Sequence, residues 1–199
     1  MEPNERISEF LTRLSRLLQA DERAGGDLLP VQVQALVYLA RCNRYSDKPS
    51  AVAEYLGITK GTASQTLGSL EREGLIAKRA DPDDGRAVRL RLTRKGRRVA
   101  EARAVSPVVA KGLASLSGRD SEQLHTSLSR LLLAIQRASV SRSFGVCHTC
   151  RHFIRLGPER FQCGLTKEPL SVPERLQLCR EHESTATGGT EGDRGDGDG

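Results

Sequence analysis

Residues 59–98 read TKGTASQTLGSLEREGLIAKRADPDDGRAVRLRLTRKGRR, and this stretch decides the fold. Thr59 is placed to cap a short helix over 60–73, in which Leu67 and Leu70 belong to the core. Position 62 is Thr, so the reciprocal Glu or Gln of a full capping box is missing. Gly74 can stop the helix in the left-handed conformation that Gly adopts cheaply. Leu75, Ile76 and Ala77 then lead a strand, and Asp81-Pro82-Asp83-Asp84-Gly85 is dense turn chemistry. Residues 87–92 set Val88, Leu90 and Leu92 against Arg89 and Arg91, the period-two pattern of a half-buried strand whose solvent face carries the arginines. A helix followed at once by a positively charged hairpin is a tool for holding duplex DNA.

Working outward, residues 46–49 form a turn, Ser50 is placed to cap a helix over 51–56, and Gly57 can end it. Two short helices joined by a tight turn make a helix-turn-helix. Upstream, Ile7, Phe10, Leu11, Leu14, Leu17 and Leu18 form one apolar stripe of an amphipathic helix over 5–19. Gly25-Gly26 breaks it, and Pro30 opens a second helix to about residue 41. Cys42 reads as a small buried hydrophobe. Downstream, Thr93 caps a helix carrying Val99, Val105, Val108 and Leu113, which Pro107 should kink or break. A last helix over 120–138 places Leu124, Leu128, Leu131, Leu132 and Ile135 in a stripe, and His125 on it reads as structural. The stripes of the first and last helices either pack on each other within one chain or form a bundle between subunits.

Bulk properties narrow the class. The 199 residues carry a net charge of +6, few aromatics and no Trp, and the apolar content favours helices. The segment 184–199 holds four acids against Arg194, so residues 1–183 carry +9. Nine Lys or Arg and three Asp fall between positions 75 and 98, a concentration that suggests a polyanionic partner. No apolar run approaches the roughly 18 residues needed to span a bilayer, and residues 1–6 do not read as a signal peptide. The expected location is cytoplasmic, associated with the nucleoid through DNA.

The sequence LGITKGTASQTLGSLEREGLIAKRADPDDGRAVRLRLTRKG resembles the MarR family of bacterial winged helix-turn-helix regulators. The shared features are the helix, an L-x-x-x-G-L-I junction, a D-P-x-D-x-R wing and an L-T-x-x-G exit. The match is dense over about 50–98, and the flanking helices extend it to roughly the first 140 residues. The resemblance implies a recognition helix in the major groove and a wing Arg, here Arg86, in the minor groove. Asp84 would orient that arginine or fix the turn. The family's more usual D-R-R is here Asp84-Gly85-Arg86, and a bulkier or basic residue commonly stands where this chain has Gln65. Similar proteins often bind small phenolic or lipophilic effectors between the dimer helices and the DNA-binding lobe.

The residues themselves support the same reading. Base edges would meet Lys60, Thr62, Ser64, Gln65 and Thr66. Gln65 suits adenine, and Thr62 or Thr66 suits a thymine methyl. Lys78, Arg79, Arg89 and Arg91 read as phosphate contacts that position without specifying. A helix-turn-helix reader of palindromic DNA needs a dimer.

Cys147-x2-Cys150-x12-Cys163-x15-Cys179 is a second constellation. Clustered cysteines in a reducing compartment point to metal before disulfides, and four thiolates around a +2 ion make a closed structural zinc site. Such a segment would draw most of its folding free energy from the metal. Cys163-Gly164 favours a tight knuckle. His148, His152 and His182 lie within or beside the cluster, and Cys179-x2-His182 is also ligand spacing; all-cysteine coordination is preferred, with the histidines behind the ligands or on the surface. An iron–sulfur cluster also takes four thiolates, but the tight three-cysteine run common in ferredoxins is absent. A disulfide switch is compatible with either metal.

No phosphate loop, G-x-S-x-G elbow or H-E-x-x-H motif is present, so no enzymatic activity is expected. The expected fold is mainly α with a small β-hairpin. A winged helix with DNA-binding and dimerisation elements spans 1–140, a Cys-rich metal-stapled module 141–183, and a disordered acidic tail 184–199. The expected function is sequence-specific transcriptional regulation by a dimer on a palindromic operator. The alternative is a zinc or redox-sensing protein-interaction module that DNA binding merely localises.

Overall fold

Thr59 does cap the helix it precedes: its Oγ1 accepts the Thr62 backbone N–H at 3.1 Å. The computed structural model describes residues 2–24, 26–81, 84–85, 87–139 and 144–184. Its helices are α1 (Pro3–Ala24), α2 (Pro30–Arg41), α3 (Pro49–Leu56), α4 (Lys60–Arg72), α5 (Arg94–Ala102), α6 (Pro107–Ala114) and α7 (Gly118–Ala138). Between α4 and α5 lie β1 (Ile76–Ala80) and β2 (Val88–Leu92), antiparallel, with Ile76 opposite Leu92 and Arg79 opposite Arg89.

The two short helices end alike. Gly57 and Gly74 take φ of 63° and 69°. In each case the next residue's N–H reaches back five positions, Ile58 to the Ala53 carbonyl and Leu75 to that of Leu70. One expectation is corrected here: α3 starts at Pro49 behind an N-cap Lys48 that makes no side-chain cap, so Ser50 lies inside the helix. Pro can open a helix because its missing N–H is unneeded there. Pro107 likewise breaks the long downstream helix into α5 and α6, and Ser106 supplies the new N-cap.

Leu36 and Tyr38 of α2, Val52 of α3, Leu67 and Leu70 of α4, and Ile76 and Leu90 of the hairpin form one closed core. It sets α4 and the hairpin at fixed angles to each other. α1 and α7 lie outside this core. Phe10, Leu14 and Leu17 of α1, with Leu128, Leu132 and Ile135 of α7, stay exposed in the single chain.

Residues 144–184 form two small sheets. β3 (Gly145–Val146) pairs with β7 (Leu178–Cys179), and β4 (Phe153–Arg155), β5 (Phe161–Cys163) and β6 (Pro169–Leu170) make a meander. Phe161 and Leu170 give this segment a core of its own, smaller than the first. It is docked on the turn between α2 and α3. The Asn43 N–H donates to the Leu178 carbonyl at 2.8 Å, the Arg180 N–H to Ser46 Oγ at 2.8 Å, and the Arg180 guanidinium pairs with Glu54 at 2.6 Å. Phe144 packs edge-on against Tyr38 and Tyr55. The acidic stretch 185–199 lies outside the described residues.

Candidate nucleic-acid interface

α4 turns one face to the core and the other to solvent. Ala63, Thr66, Leu67 and Leu70 are buried, while Lys60, Thr62, Ser64 and Gln65 are exposed near its N-terminus. Four of the five residues expected to meet bases therefore stand on one free face. Thr66 is the exception. It falls three residues after Ala63 and one before Leu67, on the core side of the helix, and its methyl is not available to a base.

The hairpin divides its cations in two. Arg79 and Arg91 are exposed, as is Lys78, which reaches back to Glu71 on α4 at 2.8 Å. That contact ties the wing to the reading helix. Lys60, Ser64 and Lys78, with Pro49 and Ser50, line one groove of about 280 Å³ where α3, α4 and β1 meet.

Arg89 departs from the expected phosphate role. Its side chain is only 15% exposed and lies between Asp47 (5%) and Asp81 (7%), at 2.8 and 3.1 Å. It also donates to the Arg44 carbonyl. Its strand position faces away from Leu90, but the α2–α3 turn covers that face at Arg89, so the arginine is a strut inside the protein. Burial holds the Asp47 carboxyl above its ordinary range, against the pull of Arg89 and then Arg91. Arg86, the wing residue expected in the minor groove, lies outside the described residues.

The turn over 43–47 supplies what the sequence reading missed. Arg44 bonds Glu174 at 2.7 Å and Glu168 at 2.9 Å, both in the C-terminal segment, and Tyr45 Oη donates to Glu168 at 2.7 Å. The same turn holds Arg89 through Asp47 and donates nothing to the hydrophobic pattern. No period or motif marks RCNRYSDKP as a junction; only its density of polar residues hints at one.

A cavity of about 900 Å³ opens between α1, α2, α3 and the α5–α6 region, lined among others by Leu18, Val37, Tyr55, Val109 and Leu132. Leu178 and Phe144 of the C-terminal segment also reach it. Tyr38 lies in its wall, its hydroxyl donating to the Ser46 carbonyl at 2.8 Å, and burial pushes its pKa up.

All four clustered cysteines border a second, much smaller cavity of about 120 Å³. Burial, then the neighbouring thiols of Cys179, Cys163 and Cys150, push Cys147 up to about 12. Among the described residues no three His, Cys, Asp or Glu side chains already stand at metal-holding geometry around one point. The knuckle differs in detail from expectation: Lys167, not Gly164, carries the positive φ (63°) in the turn after Cys163. Gly164 is small for another reason, since a Cβ there would sit 3.1 Å from the His152 carbonyl oxygen. His152 borders the cavity and meets Glu183 at 3.2 Å, His182 is buried against Thr149 at 2.9 Å, and His148 meets the Arg175 carbonyl at 3.1 Å. Cys42 is buried outside this cavity, as expected, and burial pushes it up to about 12.

Residues 27–87 match the family model described as MarR family. The Streptococcus pneumoniae FabT structure, solved in complex with DNA, is 26% identical; the match covers 68% of this chain and 99% of FabT with a TM-score of 0.55. A probable transcriptional regulator from Pseudomonas aeruginosa is 28% identical, covering 65% of this chain and 99% of its own, with a TM-score of 0.51. The organic hydroperoxide resistance transcriptional regulator of Bacillus subtilis is 33% identical over 81 residues, which are 41% of this chain and 55% of that protein. The chain thus spans about half the length of that relative. Like those structures, the chain carries a winged helix with a small β-hairpin as its wing. No helix among the described residues is long and apolar enough to cross a membrane.

Proposed function

From a MarR-type winged helix with these exposed groups, we propose that the chain is a DNA-binding transcriptional regulator that acts as a dimer on a palindromic operator. One observation carries the reading: of Lys60, Thr62, Ser64 and Gln65 on the free face of α4, Lys60 and Ser64 share a groove with Lys78 of the hairpin, on which Arg79 and Arg91 are also exposed. The polar groups on α4 suit base edges in a major groove, and the wing cations suit the phosphates on either side. The FabT–DNA complex, at 26% identity and with near-complete coverage of FabT, supports the same use of the fold.

The apolar stripes support the dimer. Exposed Phe10, Leu14 and Leu17 on α1 and Leu128, Leu132 and Ile135 on α7 form two apolar stripes of a kind that soluble monomers rarely leave open. A second copy of the same pair of helices buries them with two-fold symmetry, which is the symmetry of a palindrome. The cavity of about 900 Å³ lies between these helices and the reading unit, a suitable place for a small apolar effector. The alternative, in which the Cys-rich segment is the functional part and the winged helix only localises it, is not favoured, because the family match falls on the winged helix.

Selection of duplexes from a random pool tests the proposal. Enriched sequences should contain inverted half-sites with centres about 10 base pairs apart. Affinity for them should fall steeply with salt, by a log–log slope of roughly −0.9 per neutralised phosphate. A pool that yields no enriched symmetric sequence, or binding indifferent to salt, rejects it.

A further inference from the structure

The four cysteines come from three places that strand pairing draws together. β3 and β7 pair Gly145 with Cys179, which brings Cys179 beside Cys147 just after β3. A single 3-10 turn carries the chain from Cys147 to Cys150, whose N–H donates to the Cys147 carbonyl at 3.1 Å. The β4–β5 register sets Cys163 opposite Phe153, three residues beyond Cys150. All four cysteines then border one space of about 120 Å³, a few times a water's share of liquid volume and too small for an organic cofactor.

Donors aimed at these sulfurs form a second, independent observation. The Glu183 N–H donates to Cys150 Sγ at 3.4 Å. Asn43, from the α2–α3 turn, is 1% exposed and also borders the cavity. Its Oδ1 already accepts from the Tyr45 N–H at 3.1 Å and the Ser46 hydroxyl at 2.8 Å, which fixes the amide's orientation. Its Nδ2 is therefore the end left for the cavity, where it is buried and directed at the Cys179 sulfur. A neutral thiol is a weak acceptor, whereas a thiolate accepts strongly, so this contact strengthens when the sulfur carries charge.

We propose that Cys147, Cys150, Cys163 and Cys179 bind one zinc ion as four thiolates, and that the filled site holds the 43–47 turn against the wing through Asn43. Binding releases four thiol protons to solvent and leaves a tetrahedral ZnS4 centre of charge −2, with no redox change. Sulfurs that border the cavity must turn inward to reach about 2.3 Å from the metal, a rotation of cysteine side chains rather than a rearrangement of strands. The path from metal to wing is short. Asn43 Oδ1 holds Tyr45 and Ser46, Asp47 pairs with Arg89, and the Leu90 N–H donates to the Asp47 carbonyl at 2.7 Å.

The test uses the full chain, purified under reducing conditions, without DNA, so that its outcome is independent of the regulatory reading. Elemental analysis should find about one zinc per chain, with a colourless spectrum. Cobalt exchanged into the site should show thiolate charge-transfer bands and the visible absorption of a tetrahedral ion. Cys163→Ser and Cys179→Ser should lower zinc occupancy; Asn43→Ala keeps all four ligands, should fold, and should weaken zinc retention against a chelator by about tenfold. Removing zinc should speed hydrogen exchange at the Asn43 and Leu90 amides by about tenfold or more. Metal-free native protein with four freely titrating thiols, an iron–sulfur chromophore, or disulfides among these cysteines would each overturn the zinc assignment. Unchanged exchange at Asn43 and Leu90 on zinc removal would overturn the link to the wing.

Discussion

Gly96 faces the backbone of Leu75 so closely that a Cβ there would overlap the Leu75 carbonyl. Thr93 makes the approach necessary: its N–H donates to the same carbonyl at 3.0 Å, its hydroxyl to the Gly74 carbonyl at 2.7 Å, and its Oγ1 caps α5. The spacing of Thr93 and Gly96 is thus a steric requirement of bringing a helix back onto the end of another. Gly96→Ala should cost about 2 kcal/mol or more, read as a lowered midpoint in denaturant, because backbone must move. Gly112→Ala, at a helical position in open space, should instead be neutral or gain up to about 1 kcal/mol. Equal effects at the two sites would contradict the packing described.

The two outer arginines of the hairpin separate by the same reasoning. Arg89→Ala leaves buried Asp47 and Asp81 short of a cation and should cost about 3 kcal/mol of stability. Arg79→Ala, at an exposed position, should leave stability within about 0.5 kcal/mol while lowering DNA affinity uniformly and reducing the salt slope by about 1. Urea titration and salt-dependent binding measure the two. A stable Arg89→Ala protein with weakened DNA binding would restore the phosphate role that its sequence position first suggested.

Among the elements, the helices and hairpin followed from local rules, because caps and stop signals act over a single turn of chain. Thr59, Gly57, Gly74, Thr93 and Pro107 each did what their chemistry dictates. Ser50 did not, because Pro49 opens α3 one residue earlier. Which side of an element faces inward was less secure. Thr66 falls on the core side of α4, and Arg89 is covered by a turn that no periodicity announces. α1 and α7 carry their own prediction. Leu17→Glu with Leu132→Glu should shift sedimentation from dimer to monomer and abolish tight operator binding, since each half-site alone binds weakly. A double variant that still sediments as a dimer would place the subunit interface elsewhere.

For the molecule as a whole, the C-terminal segment is fastened to the winged helix at several separate points. Arg44 bonds Glu168 and Glu174, Arg180 bonds Glu54, Asn43 bonds the Leu178 carbonyl, and Phe144 packs edge-on against Tyr38 and Tyr55. Ending the chain at Ser139 should therefore destabilise the winged helix itself, lowering its thermal midpoint by several degrees, rather than merely trimming an appendage. An unchanged midpoint would mean that the contacts contribute nothing to the fold of residues 2–139.

By itself, the sequence determined the local alphabet of this protein: helix starts and stops, the basic hairpin, the end-helix stripes and the cysteine spacing. These depend on interactions within a few residues, which a linear reading captures. Only the tertiary structure decided which cations are free and which are struts, that Thr66 turns inward, and that the four cysteines share one space bordered by Asn43. Those outcomes rest on contacts between residues far apart in sequence, 42 positions for Arg89 and Asp47 and 130 for Arg44 and Glu174, where burial and charge pairing are settled by packing. No periodicity carries that information, because it belongs to the packed chain rather than to any one segment of it.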